Sequence, residues 1–204
     1  MKFVQLFLFL SCFILKGQEL YFPPTDTDDW AELSFEELEW CPEYLDELYD
    51  YLQEKNTKAF LILKDGKIVV EAYFDGFHAD SVWYWASAGK CVTSVLTGIA
   101  EQEGLLAFTD KTSDYLGEGW TSCTSEQENA ITIWNQLTMT SGLDDGGDVF
   151  CTDPECLTFK APAGTRWAYH NGPYTLLDGV LNEATGMPLN LYSNSRLEET
   201  TGMS

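Results

Sequence analysis

Two short spacings in this chain could do chemistry. Ser87 and Lys90 are separated by Ala88-Gly89. On a helix, positions i and i+3 share a face, so the lysine would stand one turn above the serine. A serine hydroxyl is a poor nucleophile until a base takes its proton. A lysine held against it can take that proton when burial and neighbours disfavour the ammonium form. A helix N-terminus at the serine favours the negative charge that develops in acyl transfer. Alone, the S-x-x-K spacing fits at least as well a helix-capping serine followed by an exposed lysine. The second spacing is Tyr169-His170-Asn171, after the turn Pro162-Ala163-Gly164-Thr165. A phenol acts as acid or base where positive charge lowers its pKa. An Asn amide can donate to a substrate carbonyl and accept from Lys90. The plain alternatives are a core aromatic for Tyr169 and a helix N-cap for Asn171.

Other chemistries lack their parts. Cys151 and Cys156 flank the turn-prone Thr-Asp-Pro-Glu, and a local disulfide is expected there, with two reduced thiols as the alternative. There is no C-x-x-C pair, and His78 and His170 are the two histidines, so no structural zinc site is expected. No G-x-S-x-G is present, and a Ser-His-Asp triad is not expected. Gly89-Lys90 is not a phosphate loop, because Tyr84 stands where the first glycine belongs and Cys91 follows the lysine. Asp144, Asp145, Asp148, Asp153 and Glu155 make one loop strongly acidic. A solvated surface is favoured there over a calcium site. No cofactor is implied.

Several elements must position these residues. Pro42 opens a helix to about Lys55, with Leu45, Leu48 and Leu52 at helical spacing. Residues 59–63 and 67–74 read as two strands around Asp65-Gly66, a tight-hairpin signal. Two strands cannot hide both faces and need further cover. A helix is expected from near Ser87 to Glu103, with Val92, Val95, Leu96 and Ile99 as its stripe. Trp83, Tyr84 and Trp85 then place Ser87 at a strand-to-helix junction. Thr132 caps a short helix to Leu137. Asn171 caps another, with Pro173 in its first turn and Gly186 as its stop. Residues 105–204 read as helical and loop-rich.

Charge narrows the partners. The chain has 204 residues, 33 acidic against 11 basic, and a net charge of −22. That argues against nucleic acid or an anionic membrane surface, both of which demand Lys/Arg clusters. An apolar fraction of 45% excludes a disordered acidic tail. Met1-Lys2, the apolar run Phe3 to Leu15 and Lys16-Gly17-Gln18 read as a secretory signal over residues 1–18. A lipoprotein anchor at Cys12 is the less favoured reading, and no transmembrane anchor is expected. Removing the signal takes the net charge to −24 and leaves five cysteines in an oxidising periplasmic or extracellular setting. Five is odd, so at least one thiol stays free or pairs between chains. Residues 19–41 form an acidic lead-in, read as a solvated segment, before the region 42–204.

The joint pattern resembles a known family. Ser87-x-x-Lys90, Leu137-Thr138-Met139-Thr140-Ser141-Gly142-Leu143, Ala161-Pro162-Ala163-Gly164-Thr165, Tyr169-x-Asn171 and Tyr174-x-Leu176-Leu177 stand in the order and spacing of the class C β-lactamase-related serine hydrolases, which include penicillin-binding proteins. The resemblance covers roughly residues 55–203. It implies an α/β fold of α+β type, β-lactamase/transpeptidase-like. An antiparallel sheet flanked by helices (42–104, with the nucleophile helix) would join a mostly helical lobe (105–204). It further implies that Ser87 is the acylated nucleophile and that Lys90 shares or removes its proton. Tyr169 would shuttle that proton to the leaving group. Asn171 would orient Lys90 and the substrate, and the Ser87 backbone N–H would be one oxyanion donor. His170 takes the variable middle position and is read as a pocket-wall residue. The substrate would be a small ester, amide or peptide-like molecule.

The chain also departs from that family. Relatives close the site with a strand bearing K-T-G or H-x-G, which would lie beyond Ser204. The expectation is therefore a C-terminally truncated hydrolase with impaired activity. An intact one would need on the order of 300 residues or more. A non-catalytic binding or sensor module of the same fold, or a gene fragment without function, are the alternatives. The acidic loop weighs against anionic substrates such as β-lactam carboxylates.

Overall fold

The computed structural model describes residues 20–27 and 29–203; the expected signal segment and Cys12 lie outside them. The described residues divide into two compact units, with the boundary between residues 82 and 83. Among the described residues no helix is long and apolar enough to cross a membrane.

The first unit is built on a hairpin. Strands β1 (Ala59–Lys64) and β2 (Lys67–Tyr73) pair antiparallel, with Ala59 opposite Tyr73 and Ile62 opposite Val70. Asp65 and Gly66 turn the chain with φ of 53° and 81°, the double left-handed turn that matches strand twist. Helix α1 (Leu45–Glu54) follows a 3-10 turn at Pro42–Tyr44. Leu45, Leu48 and Leu52 form its half-buried stripe, and Tyr49 meets Phe74 edge-on at 6.1 Å. The lead-in does more than stand in solvent. The Leu33 N–H donates to the Ile68 carbonyl at 2.8 Å and the Ile68 N–H to the Ala31 carbonyl at 2.9 Å, so residues 31–33 line the outer edge of β2. An edge strand offers such unpaired groups to any extended neighbour, whatever its side-chain charge. Leu61 and Leu63 of β1 remain 46% exposed each.

The second unit carries the larger core. Helix α2 (Gly89–Gln102) buries Leu96 and Ala100 against Leu177, Val180 and Leu181 of α7 (Leu177–Thr185) and Tyr192 of α8 (Leu189–Ser193). Val95, expected in the buried stripe, is 49% exposed and lines an open cavity instead. The short helices α3 (Ser113–Leu116), α4 (Ser125–Glu128) and α5 (Ile133–Leu137) surround this core. Thr124 and Thr132 each accept from the third residue of the helix they precede, and Gln127 and Asn135 bond back, so both are complete capping boxes. A smaller cluster gathers Trp120, Ile131, Leu143 and Leu157.

Three local expectations are corrected. No strand forms at residues 83–85; the segment is irregular and its three rings stand exposed, with Trp83 and Tyr84 stacked at 5.2 Å. Asn171 is the first residue of α6 (Asn171–Thr175), and the N-cap is His170, whose side chain makes no cap bond. The continuous helix expected to Gly186 is two helices meeting at Leu176.

Candidate active site

The nucleophile candidate sits where the backbone is strained. Ala86 has φ of 46°, a left-handed conformation that its Cβ disfavours by roughly 1–2 kcal/mol. That kink starts the 3-10 turn Ala86–Ala88, which runs into α2. Ser87 is therefore exposed at the helix entry while Lys90 lies one turn on, half-buried. The Lys90 Nζ donates to Ser87 Oγ at 3.3 Å. The same ammonium lies 5.3 Å from the Tyr169 ring centre and 5.7 Å from that of Tyr174, within the range of cation–π attraction. Hydrogen bonding to Ser87 and then to Lys90, with the Lys90 charge, holds the Tyr169 phenol below its usual range. Ser87, Lys90 and Tyr169 thus meet at one place.

The L-T-M-T-S-G-L stretch holds the Tyr169 segment there. Gly142 has φ of 78°, and a Cβ on it would lie 2.1 Å from the Ala161 carbonyl oxygen. Only glycine admits that crossing, in which the N–H groups of Lys160 and Ala161 both donate to the Gly142 carbonyl. Further along, the Gly164 N–H donates to the Thr140 carbonyl at 2.8 Å and the Ala168 N–H to the Met139 carbonyl at 3.1 Å. Met139 is itself left-handed, with φ of 56°.

Asn171 and His170 are both buried, 6% and 4% exposed. Burial pushes the His170 imidazole below its ordinary value, against the opposing pull of Asp145 and Asp144. Its Nδ1 has no hydrogen-bond partner. Cys151 and Cys156 are joined in a disulfide with Cα atoms 6.1 Å apart, while Cys41, Cys91 and Cys123 are free. Lys160 and Arg166 form ion pairs with Asp144 and Asp145, and the Asp145 carboxyl is held down at about 2, first by Lys160. The acidic loop is therefore partly neutralised at its base. Among the described residues no group of His, Cys, Asp and Glu is placed to hold a metal ion.

Two residues make contacts that the motifs do not announce, although Tyr174 itself stands in one of them. The Tyr174 hydroxyl donates to the Lys90 carbonyl at 2.9 Å, tying α6 to α2. Burial pushes its phenol above the ordinary range. Gln136, fully buried, donates to the Pro173 carbonyl at 2.7 Å and accepts from the Thr112 hydroxyl at 2.8 Å. Its place beside a capped helix end was the sole clue available in sequence. Next to Lys90, a cavity of about 420 Å³ is lined by Cys91, Ser94, Val95, Met139 and Tyr174.

Several solved structures share this fold. A Bacteroides dorei protein assigned as a beta-lactamase superposes with a TM-score of 0.66 at 19% identity, over 79% of this chain and 52% of its own. A Bacillus anthracis protein assigned as a 6-aminohexanoate-dimer hydrolase gives 0.65 at 15% identity, over 87% and 54%. The octameric penicillin-binding protein homologue from Pyrococcus abyssi gives 0.57 at 19% identity, over 79% and 43%. These likenesses show the fold, β-lactamase/transpeptidase-like and α+β, and the chain spans about half the length of the solved structures it matches. Comparison with curated proteins gives no match. The Beta-lactamase family model matches residues 45–204, and with the Ser87, Lys90 and Tyr169 geometry in place the chain belongs to the beta-lactamase family.

Proposed function

We propose that this protein is an exported serine hydrolase that cleaves an ester or amide through an acyl-enzyme on Ser87. The observation that carries the reading is the Lys90 Nζ to Ser87 Oγ contact of 3.3 Å with the Tyr169 phenol alongside. The family fold supports serine-hydrolase-type activity. As Ser87 Oγ attacks the substrate carbonyl, its proton passes to the Lys90–Tyr169 pair. The backbone N–H of Ser87 faces the developing oxyanion as one donor. Tyr169, its proton acidified by its neighbours, gives a proton to the leaving group and then takes one from the water that hydrolyses the ester. Asn171, buried in the first turn of α6, is assigned the role of orienting Lys90 and the substrate. The substrate is neutral or cationic, because Asp148, Asp153 and Glu155 stand on the loop beside α6. The apolar run Phe3 to Leu15 and the oxidised Cys151–Cys156 pair support export.

A fluorophosphonate probe tests the chemistry. The protein labels on Ser87, and Ser87→Ala abolishes labelling; labelling that survives the substitution overturns the reading. Turnover of p-nitrophenyl butyrate with no turnover of an anionic cephalosporin is the expected substrate pattern.

A further inference from the structure

The start of α6 is capped by something other than its own N-cap. The first N–H groups of a helix have no intrahelical acceptor, and the His170 side chain supplies none. The Gly172 N–H instead donates to the Val149 carbonyl at 2.9 Å. Val149 belongs to an excursion, residues 143–159, whose base is closed by the antiparallel Leu143–Phe159 bridge and the bond from the Asp144 N–H to the Thr158 carbonyl. The Lys160 and Arg166 pairs with Asp144 and Asp145 clasp that base. Farther out, the half-buried Cys151–Cys156 disulfide closes the part that touches α6. The approach is close: a Cβ on Gly172 would lie 2.3 Å from the Cys151 carbonyl oxygen. Gly172 adjoins Asn171 and lies three residues after Tyr169.

The geometry points to the 143–159 excursion as a redox-releasable strap: the Cys151–Cys156 disulfide holds the Val149 and Cys151 carbonyls against Gly172 and so positions Tyr169 and Asn171. A dithiol opens it by thiolate attack on one sulfur, after which its second thiol resolves the mixed disulfide. The dithiol leaves as its own disulfide, and Cys151 and Cys156 take up two electrons and two protons as thiols. The charged clasp at the base is untouched, so the tip is freed while the excursion stays attached. The effect on catalysis rests on the hydrolase reading, whereas the effect on the helix start does not.

Hydrogen exchange on the full chain reads the strap directly. Dithiol treatment, and independently the Cys151→Ser/Cys156→Ser variant, raise exchange at Gly172 roughly tenfold or more, the loss expected when one capping bond opens. Exchange in α7 stays unchanged, and reoxidation restores the wild-type value. Gly172→Ala produces the same increase with the disulfide intact. Fluorophosphonate labelling of Ser87 falls in parallel, by up to about a hundredfold if the Tyr169 segment shifts by an ångström. Unchanged exchange at Gly172 in the reduced protein and the double serine variant overturns the strap. Raised exchange with undiminished labelling overturns its positioning role. Raised exchange in a protein that never labels, oxidised or reduced, keeps the strap and overturns the hydrolase reading.

Discussion

At the scale of single residues, the site works by proximity between groups of ordinary reactivity. Ser87 gains a hydrogen-bonding ammonium, and Tyr169 gains acidity from Ser87 and Lys90. Because the phenol is held below its usual range, its basic form is populated at lower pH than in a free tyrosine. The rate of ester hydrolysis should therefore rise with pH and level off below the ordinary phenol value near 10. Tyr169→Phe should lower kcat by about 10²–10⁴-fold and erase that rise; a variant that keeps the same rising limb would assign it to another group. The Ser87–Lys90 pair was legible because two residue types at one helical spacing specify a chemistry. The bond from Tyr174 to the Lys90 carbonyl was not, since it joins side chain to backbone across 84 positions. The strain at Ala86 was equally silent, as alanine carries no sign of a left-handed backbone.

At the scale of elements, what could be read was what local physics decides. The hairpin, α1, α2 and the Thr132 cap stand where turn residues, periodicity and capping chemistry put them. The break at Leu176 and the irregular path of residues 83–85 depend on tertiary packing, and no propensity announces them. Helix α7 also carries a local conflict. Burial pushes the Asp178 carboxyl above the ordinary carboxylate range. The fold thus prefers its protonated form, so ionisation destabilises the native state at neutral pH. That cost shrinks as pH falls through the raised pKa and vanishes below the unfolded value. Asp178→Asn should raise stability at pH 7 by up to about 1 kcal/mol, and the gain should disappear at acid pH. Thermal melts of both proteins at pH 7 and pH 3 decide it; an equal shift at both would trace the effect to packing.

At the scale of the molecule, charge dominates. Residues 83–204 carry 16 acidic side chains against 5 basic ones, and three of the five, Lys160, Arg166 and Arg196, are held in ion pairs. The field of such a surface speeds cationic ligands and slows anionic ones until salt screens it, over about 10 Å at 0.1 M. Hydrolysis of a cationic ester should lose kcat/KM between 10 mM and 1 M salt and that of an anionic ester should gain, each by roughly tenfold, while a neutral ester stays level. Parallel curves for all three would show that the field does not reach the site. The net negative charge was plain from composition, whereas its partial neutralisation beside the site rests on Lys160 and Arg166 crossing to Asp144 and Asp145, which only folding shows. The half-bare strand β1 adds a colloidal consequence. Ala-Phe-Leu-Ile-Leu is a short, uncharged, β-prone run with two exposed leucines, and Lys58 and Lys64 flank it as gatekeepers. Mutual repulsion keeps such seams apart in dilute buffer. Concentrated salt would weaken that repulsion, so self-association through this exposed run should rise with salt.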